Sequence, residues 1–335
     1  MVLEISNPRV ITPPGTSAPS HVQTLSATVL GGPDEGAVYT FDNDFAQLSV
    51  GDVFYLRHTH TSEGSDFYSV ADPYRLDILL ALAAIFLLLV FAFGGIQGVR
   101  GLLSLAGSLA LIFYLLLPGI IAGYSPVLVA IGVASLIIIV GSYITHGWNR
   151  TTTAAVLGMV ATVIITGLAA SYVVHAAQLS GYNSEDSTYL HFQFNGTIDL
   201  VGVLLGGILV GLLGVLYDIA IGQAVSVEEL MSAGRHLTKR ELYRKAIRIG
   251  REHIGALVNT LAIAYVGAAL PLLLLFRNAE ASVGYILNGE VFASEIVRIL
   301  IGSIGLVLAV PITTLIAVYL IAPKERPAQT SLHPH

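Results

Sequence analysis

LVGVLLGGILVGLLGVLYDIAIGQ, residues 200–223, is almost wholly apolar. Asp218 is its single charged residue. A helix needs about 20 consecutive apolar residues to cross roughly 30 Å of hydrocarbon, and this run is long enough to do so. Gly202 and Gly206, then Gly207 and Gly211, stand four apart, with Gly214 following. On a helix such small residues line a stripe where another backbone can approach closely. A glycine-packed transmembrane helix carrying one carboxylate is the direct reading.

Working outward, six further segments have the same character: residues 78–93, 102–117, 126–145, 152–176, 254–276 and 296–321. With 200–225 they make about seven spans. Gly94, Gly95, Gly98 and Gly101 are expected to make a tight hairpin between the first two. The whole chain agrees, with 54% apolar and 11% charged residues and a mean hydropathy of +0.76. A soluble domain carries about a quarter charged residues to solvate its surface. The expected fold is therefore an all-α polytopic membrane bundle, residues 76–322, with the lipid bilayer as its main partner.

Residues before 76 differ. Short alternating runs at 21–30, 37–41, 53–58 and 67–70 read as strands, and 31–36, 50–52 and 63–65 as turns between them. A small β domain over 21–75 is expected, preceded by a loose arm over 1–20 that contains Pro13-Pro14-Gly15.

Lys and Arg placement orients the chain. Arg100 and Arg150 follow spans one and three, and a basic run from Arg235 to Arg251 follows span five. Lys324 and Arg326 stand in the tail, 323–335. The intervening loops are neutral or acidic, with Glu185 and Asp186 after span four and Glu280, Glu290 and Glu295 after span six. This alternation puts the C-terminus in the cytoplasm and the β domain outside, in a cell-membrane protein. No charged-then-apolar leader precedes the β domain, so translocation falls to span one or to a segment upstream.

Asp218 is the sharpest candidate. A carboxylate inside an apolar span is costly unless it is paired, protonated or hydrated, and such a group suits a proton or cation site as well as a structural hydrogen bond. Gln223 follows one turn later. Asn259 and Thr260, in span six, lie at matching depth from the cytoplasmic edge, and His253 stands at that span's mouth. Pro271 is expected to kink the same span. The connector 227–250 mixes Lys and Arg with Leu and Ile and reads as an amphipathic helix on the membrane surface; nucleic acid is not expected as a partner. His58 and His60 share one strand face, yet the spacing shows no third ligand, so both read as exposed bystanders and no metal or cofactor is expected. The chain has no cysteine, which removes disulfides and thiolate chemistry. No nucleophile–base or metal-ligand set points to an enzyme.

Residues 214–223 with 227–230, residues 250–271, and Gly302-Ser-Ile-Gly305 with Pro311 resemble the signature of YibE/F-like membrane proteins, over roughly residues 50 to 322. The resemblance implies an extracytoplasmic N-terminal domain on a multispan body, and it implies architecture rather than an activity. A fainter likeness joins Asp218 and the charged connector to the second half of resistance–nodulation–division permeases, where the corresponding Asp serves a proton pathway. The expectation is a permease or secondary-transporter-like protein moving a small substrate with protons or cations, compatible with a homo-oligomer. Its alternative is a membrane scaffold or receptor that binds through the β domain.

Overall fold

The computed structural model describes residues 1–12, 19–60, 66–234, 237–277 and 280–321. It divides into two compact units, Met1–Gly94 and Gly95–His335. The expected tail, 323–335, and the turn at 63–65 lie outside the described residues.

In the first unit, β1 (Val2–Ile11), β2 (Ser20–Thr28) and β3 (Val38–Asn43) form an antiparallel sheet in the order β1-β2-β3. A second pair, β4 (Phe54–His60) and β5 (Asp66–Pro73), forms a hairpin. Val2, Leu25, Leu48 and Val70 are buried together, with Ile5, Phe41 and Phe54 packed around them. All four expected strands are present. Gly36, with φ of 87°, takes the left-handed conformation that ends the 31–36 turn.

The loose arm expected over 1–20 is corrected: Val2–Ile11 is a full strand paired to β2. Its alternation is hidden in the sequence by Asn7 and Pro8. The register shifts between Ser6 and Arg9, and Asn7 adopts φ of 51°, so the strand absorbs both residues in an irregularity and resumes pairing. Arg9 then donates to Asp42 on β3 at 2.6 Å, while Thr24 donates to the other oxygen of the same carboxylate. Those two hydrogen bonds, Thr24 first and Arg9 next, hold the Asp42 carboxyl below its ordinary range.

The helices are α1 (Leu76–Leu111), a π-helical turn over Ile112–Leu116, α2 (Leu117–Ile121), α3 (Pro126–His146), α4 (Arg150–Ala176), α5 (Glu185–Gln193), α6 (Leu200–Ala233), α7 (Lys239–Ala268), α8 (Leu270–Arg277), α9 (Val283–Asn288) and α10 (Glu290–Ile321). Side-chain caps explain several starts. Asn149 accepts from Thr152 N before α4, Asp199 accepts from Gly202 N before α6, and Thr238 with Glu241 makes a capping box before α7.

Five helical stretches among the described residues are long and apolar enough to cross a membrane, and α7 with α8, bent by 65°, makes a sixth. The first of them, Leu76–Ile121, is 46 residues long and contains both of the first two expected spans. Its helix breaks at Gly95, whose φ of 52° and ψ of −142° only glycine adopts readily. The bend between α7 and α8 falls at Ala269, just ahead of Pro271, whose ring denies a backbone donor to the first turn of α8.

In the second unit, α4, α6 and α10 pack as the core, with α3 and α7 against them. Close approach is written in glycine. A Cβ at Gly158 of α4 would stand 2.9 Å from the Thr313 Cα of α10, and one at Gly305 of α10 would stand 2.9 Å from both Leu212 of α6 and Thr166 of α4. Hydroxyls line the same seam: Thr162 donates to Gly158 O and Thr314 to Val310 O, while Thr166 and Thr313 are buried without partners among the described residues.

Two boundaries differ from expectation. The connector 227–250 is not a separate surface helix. Its first part completes α6 to Ala233, and its basic part is the first three turns or so of α7, which runs on unbroken into the apolar half. Charge in the sequence marks where α7 is solvated, not where its hydrogen bonding stops. Second, α10 begins at Glu290, so Glu290 and Glu295 belong to the helix rather than to a loop. Glu290 accepts from Ser180 N at 2.8 Å and from Ser180 Oγ at 2.6 Å, which ties this start to the chain just after α4.

Candidate functional site

The structure separates the expected polar residues by burial. Gln223 is enclosed, at 1% exposure, whereas Asp218, His253, Asn259 and Thr260 are exposed. Gln223 Nε2 donates to Ala246 O at 2.8 Å, linking α6 to α7, and its Oε1 has no partner among the described residues. Thr260 Oγ1 is spent on Ala256 O within its own helix. Among the described residues Asp218 makes no hydrogen bond or ion pair, so its expected bond to Asn259 is not formed. The two do share a level. On α6, Asp218 lies between Gly211 and Gln223; on α7, Asn259 lies between Tyr265 and Gly250; and Gly211 meets the Tyr265 hydroxyl while Gln223 meets Gly250.

The depth of Asp218 follows from its neighbour. The Tyr217 ring lies 5.9 Å from that of His146, the last residue of α3, and the Tyr217 hydroxyl donates to Gly141 O. Asp218 is therefore level with the end of α3. Further down α6, Glu228 accepts from Thr151 Oγ1 at the start of α4.

The glycine stripe is likewise divided. Gly202 takes the Pro126 ring, Gly206 faces Ala130 and Gly211 faces the Tyr265 hydroxyl. Gly207 and Gly214 face open space instead of the packed partner expected of them. With Gly211 and Asp218 they form an exposed row down α6 at three- and four-residue steps. Beside this row, a cavity of about 340 Å³ opens between the second half of α1, α3 and α6. Ser104, Ser108, Thr145 and Tyr217 are the polar members of a wall otherwise formed by residues such as Ile137 and Leu213. Gly214 belongs to both the row and the cavity wall, so Asp218 stands one helical turn from the cavity. A concavity of this size, apolar with a few hydroxyls, has the character of a small-molecule site.

A second charged cluster was not singled out from the sequence. Arg298 Nη1 lies 3.1 Å from Glu295 Oε1 one turn back on α10, and its guanidinium faces the Tyr265 ring of α7 at 6.0 Å. Ser294, fully buried beside them on α10, has no partner among the described residues. Arg298 was the available signal, a lone cation within an expected span.

The β4–β5 hairpin brings His58 and His60 to Asp66. One carboxylate oxygen, Oδ1, lies 3.2 Å from His58 Nε2 and 2.5 Å from His60 Nδ1. The bond from His58 leads the effects that hold the Asp66 carboxyl below its ordinary range, with the nearby imidazole charges adding to it. Such a carboxylate stabilises the hairpin above the ordinary carboxylate range and loses that contribution as pH falls through its depressed value.

No curated protein and no solved structure matches the chain. The model of one family, described as YibE/F-like protein, matches residues 82–323. The match begins inside α1 and takes in all the remaining helices, including Asp218, Gln223 and Asn259, while strands β1 to β5 lie outside it. On that match over the larger part of its length, the chain belongs to the YibE/F-like family.

Proposed function

We propose that the protein is a permease-like multi-pass membrane protein in which Asp218 exchanges a proton or cation beside the cavity bounded by α1, α3 and α6. The supporting observation is a carboxylate without a partner among the described residues, on an exposed glycine face one turn from that cavity. Seven crossings fit this reading. The 46-residue stretch Leu76–Ile121 measures roughly 69 Å, more than twice the hydrocarbon thickness, and it breaks at Gly95. Counted as two, with α7–α8 as one, it brings the total to seven, and with the basic loops on the inner side our reading puts the β unit outside and the basic start of α7 in the cytoplasm.

Asp218 lies roughly 27 Å of helix beyond Leu200. If hydrocarbon begins near Leu200, that is close to its inner boundary, where a charge costs less than at the centre and protons arrive from the cytoplasm. The remainder of α6 projects past the membrane. The seam of α4, α6 and α10 is filled by side chains, so the route we propose runs along the outer row of α6, flanked by α7.

The test is proton flux across liposomes containing the purified protein and an internal pH dye. A pH step should decay faster than in protein-free vesicles, and Asp218→Asn should return the decay to the protein-free rate. Unchanged flux in Asp218→Asn, or no flux in the parent, would remove the proposal.

The second reading is a receptor or scaffold acting through the β unit. A cavity of about 610 Å³ in that unit favours it, lined in part by Tyr55, His58, Tyr68 and Tyr74. An inert parent protein in the flux experiment would leave this as the better account.

A further inference from the structure

We infer that the β4–β5 hairpin is a binding site for one divalent transition-metal ion of the zinc class, held by His58, His60 and Asp66. Strand geometry assembles it. Side chains two apart share a face, which puts His58 and His60 together. The antiparallel register then sets Asp66 directly opposite His60 and Tyr68 opposite His58. Three potential ligand atoms, one from each residue, all lie within 4.8 Å of one another.

The distances match what a metal needs. Zinc binds imidazole nitrogen and carboxylate oxygen at about 2.0–2.2 Å, so ligand atoms around it stand roughly 3–4 Å apart. His58 Nε2 is already 3.2 Å from Asp66 Oδ1. His60 Nδ1, at 2.5 Å from the same oxygen, needs only to withdraw by a side-chain rotation. Both imidazoles turn to one carboxylate oxygen, so the nitrogens and the oxygen already converge.

The set is also supported from behind. His58 stacks on Tyr68 with centroids 4.6 Å apart, and Tyr68 stacks on Tyr39 of β3 at 4.1 Å. This column of rings orients His58 before any ion arrives. His60 packs against His58 at 4.3 Å. The side chains of His58, His60 and Asp66 are 33%, 74% and 48% exposed, so an ion reaches them from solvent without opening the fold.

The donor set selects the class of metal. Two imidazoles and one carboxylate suit Zn²⁺, Cu²⁺ or Ni²⁺, whereas Ca²⁺ and Mg²⁺ favour all-oxygen shells. Three protein ligands leave positions for water. Because imidazole must be unprotonated to bind, affinity falls as pH falls.

The experiment uses the full chain in detergent, stripped by a chelator and titrated with Zn²⁺ against a chromophoric competitor at neutral pH. One equivalent per chain is expected, with Mg²⁺ failing to compete. His58→Gln, His60→Gln and Asp66→Asn should each weaken binding by about tenfold or more. A His333→Gln/His335→Gln control should bind as the parent does. No saturable equivalent in the parent, or three variants that bind like it, would overturn the site. X-ray absorption at the zinc edge of the parent guards against misfolded variants: scattering from two imidazoles is expected, and a shell without imidazole would equally overturn it.

Discussion

Valine at position 158 should break the helical core, whereas alanine at position 207 should leave it intact. Gly158 faces Thr313 across the α4–α10 seam, and even a methyl group there would stand 2.9 Å from the Thr313 Cα and Cβ. The obstacle is backbone, so a rotamer change cannot clear it, and the two helices must separate. Overpacking of a filled core typically costs about 1–3 kcal/mol, and valine adds two further methyls to the collision. Separation also loosens the facing contact at Gly305, where Leu212 and Thr166 press on α10. Within a bilayer little hydrophobic force draws helices together, so lost close packing has few substitutes. Gly158→Val should therefore lower the thermal midpoint of the detergent-solubilised protein by many degrees, or shift it to aggregate in size-exclusion chromatography. Gly207→Ala and Gly214→Ala meet open space and gain up to about 1 kcal/mol of helix propensity each. Equal midpoints for Gly158→Val and Gly207→Ala would mean that α4 and α10 are not in contact as described.

This contrast shows what residue type alone conveys. The glycines of residues 200–223 announce close approach as a group, but the identity of the partner decides which of them are packed. Gly202 and Gly206 lie toward α3, and Gly207 lies away from it. That depends on where the helix is rotated, which an apolar sequence with hydrophobic residues all round does not encode. The same limit explains Asp218. Its presence in an apolar run was legible. Its level was not, because α6 is 34 residues long and extends beyond any single crossing. The end of α3 at His146 is the better marker, and only tertiary structure brings it beside Tyr217.

The β unit was easier to read because period-two alternation and glycine turns are local signals. It failed where the signal was interrupted, at Asn7-Pro8 in β1. The metal set lies between these extremes. His58 and His60 were visible as a pair, and the turn expected at 63–65 puts a second strand beside them. What sequence alone could not supply was the register, and hence a third ligand.

The last expected result concerns the contact where the two longest stretches of family resemblance meet. Residues 214–223 end at Gln223, residues 250–271 begin at Gly250, and these two terminal residues touch. A Cβ at Gly250 would stand 2.7 Å from Gln223 Oε1 and 2.5 Å from Val310 Cγ1. Gly250→Ala should thus force Gln223 aside, cost its bond to Ala246 O, and lower the thermal midpoint clearly. A buried hydrogen bond contributes about 0.5–1.5 kcal/mol, and a displaced amide left without partners costs about 1–3 kcal/mol. Gln223→Ala alone should cost less than Gly250→Ala, because the Ala246 carbonyl keeps its helical partner and no amide is left stranded. Once Gln223 is alanine, the collision of the position-250 Cβ with the amide is gone and only its contact with Val310 Cγ1 remains. The double variant should then be more stable than the two single losses predict, with a coupling of about 0.5–3 kcal/mol of the kind that residues in contact show. Strict additivity in this cycle would mean that Gln223 and Gly250 do not meet and that α6 and α7 are joined elsewhere. A coupling of the expected sign would instead place an α6–α7 contact at one amide and one hydrogen atom, one to two turns along α6 from Asp218.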